Sequence, residues 1–224
     1  MSTPPNDLFA DRRARFRHYD SPGAVTAYLD RLANGWPERP QLAQHIIQTI
    51  SRLAPAAPRV LELCCGPGWL AAQLLVAFPT MQYTGVDLSP PFLAFAQEAL
   101  ALHANRVNLV EIDLNQIDWP DQMTTPDGPP QFDAIISLQS LHDVGDEEVI
   151  GRLYGLAKGL LTPGGLFLNA DLVIPAGEQR PDNPGRLPIA RHLNLLTAQG
   201  YRSPQCTLTV GNFGTVIGHQ GAPS

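Results

Sequence analysis

An α/β fold with a doubly wound, mostly parallel sheet and helices on both faces is the architecture this sequence predicts. Three observations predict it. From residue 59 onward, short apolar runs alternate with longer helix-type segments, the rhythm of β–α–β units. The apolar runs are short and bounded by turn residues, as strands buried under helices are. Near the end the rhythm breaks: two strand-type runs flank Gly211-Asn212, a hairpin that adds an antiparallel strand.

The elements follow in order. Residues 1–18 read as an irregular arm. Helices are expected over 21–33 and 39–53. In the second, Leu42, Ile46, Ile50 and Leu53 share one face, and Pro55 and Pro58 end it. Arg59–Leu63 is the first strand, and the helix over Trp69–Phe78 stops at Pro79. Gln82–Val86 is the second strand, Pro91–His103 the next helix and Val107–Ile112 the third strand. A loop rich in Pro, Asp and Gly runs to about Pro130. Phe132–Leu138 is the fourth strand, Asp146–Leu161 a helix, Thr162–Gly165 a turn and Leu166–Ile174 the fifth strand. After a Pro-rich loop a helix is expected over Pro188–Gln199, then the hairpin of Cys206–Val210 and Phe213–Gly218.

Length and charge narrow the function. A chain of 224 residues suits one core domain. That core is placed at 55–224, with the arm and helices of 1–54 as a cover over a ligand site. The net charge of -6 opposes general attraction to nucleic acid. The run Arg12, Arg13, Arg15 and Arg17 is local and reads as a solvated tail. The three cysteines, Cys64, Cys65 and Cys206, form neither a disulfide framework nor a zinc pattern, so no metal is expected. No apolar run approaches membrane-spanning length, and a cytoplasmic protein is expected.

The chemistry is concentrated at the strand ends. In Glu62-Leu63-Cys64-Cys65-Gly66-Pro67-Gly68 a strand runs into two glycines before a helix. Glycine lets the backbone turn sharply and a ligand approach it. The helix start favours an anionic group by roughly 0.3–1 kcal/mol, and Glu62 supplies a charge for an ammonium. Gly66, Gly68 and Ala71 also satisfy the looser dinucleotide pattern GxGxxA, with Asp87 about 20 residues on. A nicotinamide-dependent oxidoreductase, NAD(P)-linked and Rossmann-folded, therefore competes at this point. Asp87 closes the second strand at an end expected to be exposed, where a carboxylate accepts ribose hydroxyls. Ser89 fits the following helix cap. Asp113, in Glu111-Ile112-Asp113-Leu114, closes the third strand, placed to accept from an adenine amino group while Leu114 packs on the ring.

Together these segments resemble the class I S-adenosylmethionine-dependent methyltransferases, over roughly residues 40–220. The glycine-rich motif resembles Glu62–Gly68, with Cys64 where the family usually has its first glycine. The ribose acid resembles Asp87 in Gly-Val-Asp-Leu-Ser, and the adenine acid resembles Asp113. The fourth-strand motif resembles Phe132–Leu138 with Leu141-His142 after it, and the fifth-strand turn resembles Leu161–Gly165. The resemblance implies a Rossmann-like fold with S-adenosylmethionine as cofactor, held by Glu62, Cys64, Gly66, Gly68, Asp87, Leu88, Asp113, Leu114 and Ser137. It also implies in-line transfer of a methyl group to a small-molecule acceptor. A non-catalytic S-adenosylmethionine-binding module is the remaining alternative.

The acceptor side is marked more faintly. His142 follows the fourth strand and is the candidate base, against a role in capping the loop before Asp143. Tyr19 and Tyr28 are candidate lid contacts, whereas Trp36 reads as packing. Arg180, with Arg186 in the same loop, follows the fifth strand. Gly151, Gly155 and Gly159 share one helix face, read as tolerated rather than as a contact surface.

Overall fold

The computed structural model describes residues 9, 14, 19, 21–124 and 128–221. Its strands are β1 Arg59–Leu63, β2 Gln82–Asp87, β3 Val107–Glu111, β4 Phe132–Leu138, β5 Leu161–Leu172, β6 Arg202–Val210 and β7 Phe213–His219. They form one sheet in the order β3-β2-β1-β4-β5-β7-β6. The pairs from β3 to β5 are parallel, and β7 inserts antiparallel between β5 and β6. The expected α/β class and the antiparallel final hairpin are both present.

The helices are α1 Pro22–Gly35, α2 Arg39–Leu53, α3 Trp69–Ala77, α4 Pro90–Ala99, α5 Glu147–Gly159 and α6 Ile189–Ala198. Alternation along the strands builds a core on each face. Val60 of β1, with Ala134, Ile136 and Leu138 of β4, packs against α2 and α3. Leu61, Leu63 and Ile135 face the opposite way, against α5 and α6. Side-chain caps start α1, α4 and α5: Ser21 accepts from Ala24 N–H, Ser89 from Phe92 N–H and Asp146 from Val149 N–H.

Several boundaries differ from expectation for local reasons. The helix expected to reach His103 ends at Ala99, and Ala101–Arg106 tighten into a 3-10 turn. There the Arg106 guanidinium donates to the carbonyls of Leu75 and Phe78 at the end of α3, which anchors the chain. The Thr162–Gly165 turn is a bulge inside β5: Phe132 pairs with Leu161 and Ala134 with Leu166, and Gly164 takes φ 81°. β6 starts at Arg202, earlier than expected, because it follows β7 across a shifted register.

Phe9 and Ala14, the described residues of the arm expected over 1–18, have helical backbone, in a stretch rich in the helix formers Ala and Arg. Arg12, Arg13, Arg15 and Arg17 lie outside the described residues. The glycine face of α5 is not mere tolerance. A Cβ on Gly151 would meet the Leu195 side chain at 3.1 Å, and one on Gly155 would meet Gln199 at the end of α6, so these two admit α6, whereas one on Gly159 would meet nothing within 4 Å. Among the described residues, no helix is long and apolar enough to cross a membrane.

Candidate active site

In this sheet β1 lies between β2 and β4, and the crossovers leave it toward opposite faces. That switch point opens a crevice at the carboxyl ends of the strands. A cavity of about 250 Å³ occupies it, roofed by Tyr28 and Trp36 of the N-terminal helical segment.

Acids from successive strand ends converge there. Glu62 is buried in β1 and accepts from the Tyr83 hydroxyl at 2.8 Å. Burial pushes its carboxyl up to about 8, against the opposing pull of Tyr83 and Arg39. Asp87 closes β2. Its Oδ2 accepts from Gly66 N–H at 2.8 Å and its Oδ1 from Ser89 N–H at 3.0 Å. Only 7% of it is exposed, so the exposed strand end expected from sequence is wrong: the first glycine turn folds over it. Burial pushes Asp87 up to about 6, although the backbone donors oppose the shift. Asp113 also lines the cavity, and Asn115 N–H donates to its Oδ1 at 3.0 Å. Leu88, Ile112 and Leu114 give this end an apolar wall.

The turn between β1 and α3 carries three left-handed residues: Cys64 at φ 55°, Gly66 at 55° and Gly68 at 82°. Cys64 and Gly66 line the cavity, and a Cβ on Gly66 would meet nothing within 4 Å. Gly68 does not line it. Its missing Cβ faces Ala96 of α4, 3.2 Å from that residue's Cβ, so its place is structural. Gly68→Ala is expected to cost about 1–3 kcal/mol of folding stability through left-handed strain and crowding. A urea titration measures it, and an unchanged midpoint would refute this placement. Ser137 is also outside the cavity. It pairs with Asn169 of β5 on the α5–α6 face, and alternation gives its neighbour Leu138 to the site instead.

His142 sits in a 3-10 turn just after β4, is buried and lines the cavity. Its Nδ1 lies 2.6 Å from Asp171 Oδ1, and its backbone N–H donates to Asp171 Oδ2 at 3.0 Å. Nε2 stands 3.4 Å from Asp143 Oδ2. Burial alone would depress the imidazole, but the Asp171 carboxylate outweighs it and holds His142 above the usual histidine range. Burial would raise Asp171, and His142 in turn holds it below the usual carboxylate range. Sequence reading missed Asp171, although the strand-end rule that picked out Asp87 and Asp113 applies to it equally. Arg39, also missed, lines the cavity: it donates to Gln139 Oε1 at 2.6 Å and lies 4.8 Å from the Trp69 ring centre.

Of the lid candidates, Tyr28 lines the cavity. Tyr19 does not; it stacks behind, 5.1 Å from Tyr28 and 4.9 Å from Phe92, and accepts from Arg31 at 2.8 Å. Trp36 lines the cavity as well as packing edge-on against Phe213. Arg180 is half exposed, 3.9 Å from Asp182 and away from the cavity, because the loop turns its outer limb to solvent. Arg186 of the same loop is the one that lines the site. Among the described residues no group of His, Cys, Asp and Glu side chains could hold a metal ion.

Comparison with known proteins matches residues 60–165 to a methyltransferase domain family. A release factor glutamine methyltransferase of Koribacter versatilis is 29% identical over 60% of this chain and 50% of its own length. A ubiquinone biosynthesis O-methyltransferase of Xanthomonas axonopodis pv. citri is 32% identical over 62% of this chain and 56% of its own. This chain thus matches about half the length of these relatives. Human N-acetylserotonin methyltransferase, solved in complex with SAM, superposes with a TM-score of 0.68 over 98% of this chain and 61% of its own, at 18% identity, a likeness of fold.

Proposed function

We propose that this chain is a class I S-adenosylmethionine-dependent methyltransferase, a reading its match to a methyltransferase domain family supports, and that it transfers a methyl group from S-adenosylmethionine to a small-molecule acceptor. The observation that carries the reading is the convergence of Glu62, Asp87 and Asp113 on one cavity beside the open face of Gly66. That row of donor and acceptor chemistry fits a zwitterionic nucleoside and needs no metal.

Each residue has a task in this reading. Glu62, neutral below about 8, ionises against the ammonium of the methionine end. Asp87 retains lone pairs beyond those taken by Gly66 and Ser89, and these accept the ribose hydroxyls. Asp113 takes the adenine amino group, with Leu88 and Leu114 against the ring. Cys64 and Gly66 present backbone closely to the ligand. Bound S-adenosylmethionine supplies a methyl group on a sulfonium, which leaves as a neutral thioether. Tyr28 and Leu32 of α1, with Trp36 and Arg39 after it, cover the site and hold water out while donor and acceptor align.

His142 is the base. With Nδ1–H given to Asp171, the ring is basic at Nε2, and the Asp143 carboxylate 3.4 Å from that atom strengthens the base. Nε2 would take the proton that the acceptor atom releases as it is methylated. The cavity of about 250 Å³ and the net charge of -6 support an acceptor of metabolite size over a polymer.

Calorimetry is expected to give micromolar-range dissociation constants for S-adenosylmethionine and S-adenosylhomocysteine, with a raised melting temperature. Tight NAD or NADP binding without either would instead favour an oxidoreductase. Radiolabelled donor in a cell extract is expected to label the small-molecule fraction. Label confined to macromolecules would overturn the small acceptor, and donor binding with no transfer to any fraction would leave a non-catalytic binding module.

A further inference from the structure

We propose that Arg186 selects an acceptor bearing a carboxylate, which it grips beside His142. The inference rests on the methyl-transfer reading of the same cavity. Arg186 stands in the loop between β5 and α6 and lines the cavity. Among the described residues it has no ion pair and donates no side-chain hydrogen bond. Its Nε is closed off from solvent with no acceptor. Nη1 and Nη2, which are not closed off in this way, also donate to no described residue, so the open edge of the guanidinium is uncommitted.

The backbone fixes where this demand is presented. A Cβ on Gly185 would run into the carbonyl oxygens of His142 and Gly145, so only glycine lets this strand of the loop lie against the histidine turn. The Arg186 N–H donates to Asn183 O at 3.1 Å, closing a turn that aims residue 186 inward. Arg186 is therefore held next to the proposed base, and its positive charge is felt by the imidazole. Arg39, the other arginine lining the cavity, is already engaged by Gln139 and Trp69. The acids of the cavity lie mostly toward β1, β2 and β3, where they suit the cationic donor. A second anion-binding group beside His142 has its use on the acceptor. The Nη1–Nη2 edge of the guanidinium matches a carboxylate in two parallel hydrogen bonds. The methyl then goes to a separate, proton-bearing atom that reaches His142 Nε2.

The test is binding to the protein saturated with S-adenosylhomocysteine, using matched probes: 3- and 4-hydroxybenzoate, short hydroxy acids, and the corresponding amides. Titration by calorimetry is expected to favour acids over amides by about 10- to 100-fold, from the charge-assisted pair. In Arg186→Gln that preference is expected to vanish while affinity for S-adenosylhomocysteine stays within about twofold. Equal binding of acids and amides, no binding by any acid, or a preference that survives in Arg186→Gln overturns the proposal. So does an Arg186→Gln variant that loses S-adenosylhomocysteine instead, since the arginine would then serve the donor's carboxylate. Failure of the wild-type protein to bind S-adenosylhomocysteine strikes the underlying reading, a distinct outcome.

Discussion

His142→Asn is expected to lower turnover by about 100- to 10,000-fold, the usual contribution of a positioned base, with donor affinity nearly unchanged. Asparagine keeps an amide donor near the place of Nδ1, so Asp171 retains a partner, but nothing replaces Nε2. His142→Ala removes both and leaves a buried carboxylate short of its counter-charge, which adds a stability cost of about 3–5 kcal/mol. Single-turnover kinetics on an identified acceptor, with calorimetry for donor binding, separates the two effects. Unaltered turnover in a folded His142→Asn protein would remove His142 from catalysis.

The pH dependence sharpens this expectation. The base works as neutral imidazole, so the rate should rise as pH climbs through the His142 pKa. That acid limb lies above the ordinary histidine value of about 6.5. In Asp171→Asn burial and Arg186 are opposed by Asp143 alone, and the limb should move to lower pH. A limb that stays in place would mean that Asp171 does not set the titration. The stability linkage has its own signs. His142 is raised on folding, so its contribution is full below about 6.5 and is lost as pH rises through the folded value. Asp171 is lowered, so its contribution is full above about 3.9 and is lost as pH falls through the folded value. The pair stabilises most between those limits.

Asp87→Ala is expected to weaken donor binding by roughly 30- to 150-fold, equivalent to about 2–3 kcal/mol, by removing charged acceptors from the ribose hydroxyls. It should also cost about 1–3 kcal/mol of stability, because the Gly66 and Ser89 N–H groups lose their acceptor. Denaturant titration and calorimetry read the two losses separately. In the wild-type protein, donor affinity should decline as pH falls below about 6, where the raised Asp87 takes up a proton and stops accepting from one hydroxyl. The linkage sign is that of a raised acid: stability from this group is full below about 3.9 and declines as pH rises through about 6. An unchanged dissociation constant in folded Asp87→Ala would remove the residue from the site.

The order of strands and helices, the antiparallel end and the acids at 62, 87 and 113 were legible in the linear chain. Apolar periodicity follows from local burial, and the carboxyl edge of a parallel sheet is where crossovers must leave room for a ligand. The same logic would have reached Asp171 had the fifth strand been read for acids as the second and third were. Side-chain direction was less accessible. Ser137 and Leu138 are neighbours in sequence, yet the pleat sends only Leu138 to the cavity, and one loop turns Arg186 inward and Arg180 out. Gly68 belongs to a motif that suggests ligand contact, but the approach of α4 decides that its missing side chain makes room for Ala96.

Patterns within short windows are enough to set the fold class and the chemical types gathered at the strand ends. The tertiary structure alone decided that Asp171 orients His142, that Asp87 is buried under its own glycine turn, and that Arg39 and Arg186 enter the cavity. Those partners lie far apart along the chain. Their meeting depends on the stacking of helices on a twisted sheet, and the charge each one carries depends on the burial that this stacking creates.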